Sequence, residues 1–133
     1  MTRPAWDETW MRVAYTLAER SADPRLKVGC VIVSPDNRYV LGVGYNGDEA
    51  GGENVVASLE PGQSGFVHAE VNALIKTRET EDASVYVTHS PCAVCARALV
   101  NARVRSVTYS RAYRDEAPLE LLMRHGIEVK CSP

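Results

Sequence analysis

Four side chains in this sequence could do chemistry together. His68 and Glu70 stand two apart in "VHAEVNALI", and Cys92 and Cys95 stand three apart in "SPCAVCARALV". Cysteines at i and i+3 share one face of a helix, and Pro91 suits a helix start. The unpaired N–H groups and positive dipole end at such a start favour thiolate over thiol. A thiolate pair there is half of a zinc site. A redox Cys-x-x-Cys has the same spacing, so this half alone leaves both readings open. His68 and Glu70 do not share a face inside a regular helix. They can approach one point if His68 sits at the first turn, where the backbone is only becoming helical.

The two halves gain meaning together. Residues 71–90, which separate them, read as a helix, a turn and a strand. Such a crossover sets a second helix start beside the first. One histidine and two cysteines make three ligands. Zinc prefers four, so one position stays open for water, as in a catalytic site. A free carboxylate beside that water is a general base, the role that falls to Glu70. A structural zinc site more often has four protein ligands. His89 and Cys30 have the right chemistry for a fourth, but neither has a spacing argument.

Other elements must position these groups. The segment from Trp6 to about Ala22 reads as a helix, with Asp7 as N-cap and "SADP" as its end. Trp6, Trp10, Val13, Leu17 and Ala18 fall near one face. "KVGCVIVS" and "YVLGVGY" read as a hairpin around "PDNR". Residues Asn46 to Phe66 are a long loop rich in Gly, Asp and Glu, either a cover for a substrate or a passive connection. Then follow helix "HAEVNALIKT", strand "ASVYVTHS", helix "CAVCARALVNA", strand "VRSVTYS", helix "APLELLMRHG" and short strand "IEVK". Pro118 lies near the start of that last helix and Gly126 at its end. Strands alternating with helices predict a partly parallel sheet covered by helices, an α/β class.

The 133 residues suit one domain, residues 1–133, with one core. The formal net charge of −2 gives no reason to expect a long nucleic-acid partner. No apolar run of about 18 residues predicts a membrane span, and "MTRPAWDETW" lacks the apolar run of a secretory signal. A cytoplasmic location is the expectation. In that compartment the four cysteines read as metal or redox groups rather than disulfides. Cys30, in "VGCVIV", reads as a small buried residue, and Cys131 is expected to have no role.

His-x-Glu paired with Pro-Cys-x-x-Cys resembles the signature of the zinc nucleobase deaminases. Within them the resemblance is to the deoxycytidylate (dCMP) deaminases. It is carried by "SADPRLKVGCVIV", "GVGYNG", "FVHAEVNAL" and "VYVTHSPCAVCARALVNARV", and by "VTYSRAY" followed by "LELLMRHGIEV". The resemblance covers nearly the whole chain. It implies a three-layer α-β-α cytidine deaminase-like fold with a five-stranded mixed sheet. It implies Zn2+ on His68, Cys92 and Cys95, with Glu70 as proton shuttle. The implied reaction is hydrolytic deamination of a cytosine nucleotide, dCMP to dUMP, by a homo-oligomer. Asn46 would contact the sugar, and Tyr113 would lie near base or sugar. Backbone groups of Ala69 and Ser90, beside the ligands, are candidate base readers. Arg25, Lys27, Arg111 and Arg114 are candidates for a phosphate, which guanidinium grips in two places.

The same metal site would serve a deaminase of cytidine, cytosine, guanine or a transfer-RNA adenosine. A zinc module that binds nucleotide without turnover would keep the ligands but has no use for Glu70. After "GYNG" the dCMP branch commonly carries a proline-glycine turn and a longer insert, where this chain reads "DEAGG". Control by nucleoside triphosphates, which resides partly there, is not carried over.

Overall fold

A computed structural model describes residues 2–113 and 115–133. The elements are α1 (Trp6–Ala18), β1 (Gly29–Val33), β2 (Val40–Tyr45), α2 (Ala69–Leu74), β3 (Ser84–His89), α3 (Ala93–Asn101), β4 (Ser106–Arg111), α4 (Ala117–Arg124) and β5 (Glu128–Cys131). They build one five-stranded sheet in the order β2-β1-β3-β4-β5. β2, β1 and β3 run antiparallel, and β3, β4 and β5 run parallel. The sheet is mixed, as expected.

All five residues of β1 are buried, the mark of a strand covered on both faces. Its side chains alternate between two cores. Cys30 and Ile32 join Ala69 and Ala73 of α2, Ala96 and Leu99 of α3, and Leu122 of α4. Val31 and Val33 meet Met11 and Ala14 of α1, with Tyr86 of β3. So α1 covers one face and the other three helices cover the opposite face, giving the three layers. Cys30 is a buried core residue, as its strand-like surroundings predict.

Close approach needs glycine at one point that matters for the site. A Cβ on Gly44 of β2 would come within 2.5 Å of the Ala69 carbonyl oxygen and the Ala73 nitrogen. Its absence lets α2 lie directly on the strand.

α1 departs from expectation at both ends. Its N-cap is Ala5, and Asp7 lies inside the first turn. The Asp7 carboxylate instead accepts hydrogen bonds from Tyr86 Oη of β3 at 2.6 Å and Lys130 Nζ of β5 at 3.1 Å. The helix ends at Ala18, not near Ala22. Beyond it, Ser21 Oγ accepts the Asp23 N–H, and Asp23 Oδ1 accepts those of Arg25 and Leu26. Local side-chain bonds of this kind compete with the helix ladder. Trp6 is 53% exposed and stacks on Trp10, so it lies at the rim of the apolar face. α2 is also shorter than its sequence pattern, because Thr77 Oγ1 bonds back to the Ala73 carbonyl at 2.8 Å as the chain turns away.

Burial works to raise the Asp7 carboxyl, but the bonds from Tyr86 and Lys130 outweigh it and hold Asp7 below its ordinary value. A carboxylate held low stabilises the fold above the unfolded-state value of about 3.9, and the contribution fades as pH falls through the folded value. Asp7→Asn keeps an acceptor for Tyr86 and removes the charge. Its expected cost is about 1 kcal/mol at pH 7, the difference between charged and neutral hydrogen bonds. In urea unfolding, the gap to wild type should close as pH falls through the folded value of Asp7. A gap that persists there would show that the charge is not its source.

Candidate active site

Two helix starts carry the chemistry. The chain enters α2 from the loop over residues 46–66, whose ends are pinned where Gly47 and Val67 exchange both backbone bonds, at 3.1 and 2.8 Å. Asn72 Nδ2 donates to the Tyr45 carbonyl at 2.9 Å and ties α2 to β2. This fixes His68 as the N-cap of α2, with extended φ −70° and ψ 153°. β3 runs into α3 through Ser90 and Pro91, and Cys92 is the N-cap there, at φ −73° and ψ 176°. Neither N-cap side chain makes a capping bond. Both are free to turn to one another. The extended N-cap also removes the difficulty of a His and a Glu two apart.

His68 Nδ1 lies 3.3 Å from Cys95 Sγ and 3.4 Å from Cys92 Sγ. All three donor atoms fall within 4.8 Å of one another. Tetrahedral zinc, with bonds of about 2.3 Å to sulfur and 2.0–2.1 Å to nitrogen, sets such atoms roughly 3.5 Å apart. The donor set and its spacing fit zinc. Glu70, one position past the first residue of α2, is 4% exposed.

The groups tune one another. Bonds from the Cys95 thiol and from His68 push Cys92 down to about 3. Cys95, as donor to Cys92 and as a buried group, is pushed well above the usual thiol range. His68 is raised, first by its bond to Cys92. Burial pushes Glu70 up to about 7, against the pull of its backbone N–H and of His68. A carboxyl near neutrality can both take and give a proton.

A cavity of about 950 Å³ opens beside these groups. Arg25, Asn46, Ala69, Ser90 and Tyr113 all line it. Lys27 and Arg111 do not line it; both are exposed, and Arg111 is the last residue of β4. Arg114 lies outside the described residues. Among the described lining residues Arg25 is the one guanidinium, sharing the wall with the carboxyl groups of Asp23, Glu60 and Asp115. Asn46 is 7% exposed and its side chain is engaged inward. Its Oδ1 accepts the Val28 N–H at 2.9 Å, and its Nδ2 donates to the Leu26 carbonyl at 2.9 Å and to Asp23 at 3.4 Å. It therefore braces the turn that carries Arg25.

Sequence reasoning passed over Asp23, whose Asp-Pro pair reads as a helix stop yet organises that turn. It weighed His89 only as a ligand. The His89 ring instead packs on Tyr113, with centroids 3.9 Å apart, and it is not part of the metal cluster. Of the long loop, Ser58, Glu60 and Ser64 line the cavity. Cys131 is exposed and remote in sequence from the cluster.

The profile of the cytidine and deoxycytidylate deaminase zinc-binding region matches residues 4–111. The chain belongs to this family. It is 36% identical over 129 residues to the deoxycytidylate deaminase of Mycobacterium phage D29, covering 84% of this chain and 98% of that protein. It is 34% identical over 139 residues to the ComE operon protein 2 of Bacillus subtilis, covering 98% of this chain and 72% of that protein. The crystal structure of the dCMP deaminase from the cyanophage S-TIM5 in complex with dCMP and dUMP matches with a TM-score of 0.86. That match has 31% identity and covers 99% of this chain and 100% of that one. As a member of the cytidine and deoxycytidylate deaminase family, the chain is a zinc-dependent deaminase with the expected cytidine deaminase-like fold. Zn2+ is its cofactor, and the cluster able to hold it lies within the matched region. No helix among the described residues is long and apolar enough to cross a membrane.

A thiol that keeps its proton must lose it to ligate zinc. The raised Cys95 is protonated at pH 7, so zinc uptake by chelator-stripped protein should release protons and tighten as pH rises. Calorimetry in buffers of different ionisation enthalpy measures this. Uptake with no proton release would contradict the thiol assignment. Metal analysis of His68→Ala, Cys92→Ala and Cys95→Ala should find well under one zinc per chain, while Glu70→Gln keeps it.

Proposed function

We propose that residues 1–133 act as a single deaminase domain that hydrolyses dCMP to dUMP and ammonia. The observation that carries the reading is a buried carboxyl, Glu70, beside a three-donor cluster at the floor of a nucleotide-sized cavity. The substrate follows the deoxycytidylate deaminases to which the chain is similar. In the reaction the bond from C4 of the cytosine ring to its exocyclic amino nitrogen breaks and a C4–O bond to water oxygen forms.

Zinc, when bound, supplies Lewis acidity that brings the pKa of water from 15.7 to about 7. His68, Cys92 and Cys95 are the residues that would hold it. Glu70 takes one proton from the attacking water and passes it to ring N3, then takes the remaining hydroxyl proton from the oxygen now on C4 and passes it to the departing amine. The Ala69 N–H, at the first position of α2, is free to donate to the ring. The Ser90 N–H is occupied by the Arg111 carbonyl at 2.7 Å, so Ser90 reads the base through its own carbonyl. Arg25 receives the phosphate. Asn46 meets the sugar from the wall and Tyr113 flanks base or sugar.

A second reading, a nucleoside or base without phosphate, is favoured by the carboxyl groups of Glu60 and Asp115 in the same wall. We also place the protein in the cytoplasm as a homo-oligomer. Ile75 and Val94, apolar and largely exposed beside the two site helices, support self-association.

Ammonia release over a panel of dCMP, deoxycytidine, cytidine, cytosine and guanine separates these readings. Turnover of dCMP well above the others is expected. Turnover of another compound with none of dCMP would overturn the substrate. Glu70→Gln should retain zinc and lose about 10²–10⁴-fold in kcat, the usual worth of a general acid–base group. Full activity in that variant would remove Glu70 from the mechanism.

A further inference from the structure

β4 ends at Arg111 and α4 begins at Ala117, so Tyr113 stands in a connection with no strand or helix ladder to hold it. Its ring nevertheless lines the cavity and is only partly exposed, at 40%. Two contacts from the end of β3 account for its placement. Ser90 Oγ, on a residue that is 3% exposed, accepts the Tyr113 N–H at 2.9 Å. The His89 ring meets the Tyr113 ring with centroids 3.9 Å apart and planes tilted by 56°. The Ser90 N–H reaches back to the Arg111 carbonyl at 2.7 Å and closes the same short segment from its other side. Burial holds the His89 imidazole below its ordinary value, which suits a neutral ring packed on an aromatic one.

We propose that Ser90 and His89 are positioning residues, whose hydroxyl and ring together fix Tyr113 as the aromatic wall against which the nucleotide's base or sugar rests. The proposal rests on the nucleotide reading above. Ser90 thus has two functions. Its backbone faces the base, while its side chain acts on substrate through Tyr113. An unlatched Tyr113 would sample other directions and lose the ordering that makes an aromatic wall effective. The effect falls on binding rather than on proton transfer.

Two measurements test this. In protein labelled with 3-fluorotyrosine, Tyr113→Phe assigns one of the six tyrosine signals. Ser90→Ala should move that signal towards free fluorotyrosine and leave the other five in place. His89→Leu, which removes the ring from the other side, should do the same and serves if Ser90→Ala does not fold. In the zinc-loaded enzyme, Ser90→Ala should raise KM for dCMP roughly three- to tenfold, about the worth of one neutral hydrogen bond, with a much smaller change in kcat. Adding Ser90→Ala to Tyr113→Ala should raise KM little further, because paired residues are non-additive. An unmoved Tyr113 signal, or the same KM penalty in both backgrounds, overturns the latch. Wild-type protein that turns over no dCMP defeats the proposed substrate instead, and the fluorine signal still decides the latch.

Discussion

Three donor atoms from two distant stretches must meet at one point, and the backbone achieves this with two helix starts. His68 and Cys92 each end an extended segment and each become the N-cap of a helix. An N-cap side chain normally folds back onto its own helix. Here neither does, so both are available to a shared partner. The rest of the fold serves that arrangement. Gly44 lets α2 lie on β2, the Gly47–Val67 bridge sets where α2 begins, and β3 delivers α3 directly to the same end of the sheet.

The site then separates its titratable groups by environment. Cys92, held low by bonds from Cys95 and His68, is driven towards thiolate, while Glu70, whose burial outweighs its backbone N–H and His68, is driven towards the protonated form. The first effect suits a metal ligand and the second suits a proton carrier. Pairs pushed apart in this way commonly mark an acid–base assignment. The cavity wall adds a further asymmetry, one described guanidinium, on the turn braced by Asn46, among several carboxyl groups.

Much of this was legible in the chain itself. That His68, Cys92 and Cys95 come together could be read from short spacings, and the layers from the order in which strands and helices alternate. What was not legible depends on contacts between distant positions. Asp7 looks like a helix cap by its neighbours, yet its partners are Tyr86 and Lys130, 79 and 123 residues away. Asn46 lines the cavity, yet nothing in its neighbours reveals the bonds it also makes to Val28, Leu26 and Asp23. Among four basic candidates for a phosphate, sequence had no means to separate Arg25 in the wall from Arg111 outside it. That distinction depends on which way each chain end faces. His89 escaped notice as a packing partner because a histidine next to Pro-Cys-x-x-Cys suggests a ligand first.

The central claim is an open zinc site built from one imidazole and two thiolates. X-ray absorption at the zinc edge of protein loaded with one equivalent of metal tests it most directly. Two sulfur neighbours at about 2.3 Å and two nitrogen or oxygen neighbours at about 2.0–2.1 Å are expected, with the spectrum unchanged in Glu70→Gln. Three or more sulfurs, or a spectrum altered by Glu70→Gln, would contradict the account, because the fourth position would then belong to the protein rather than to water.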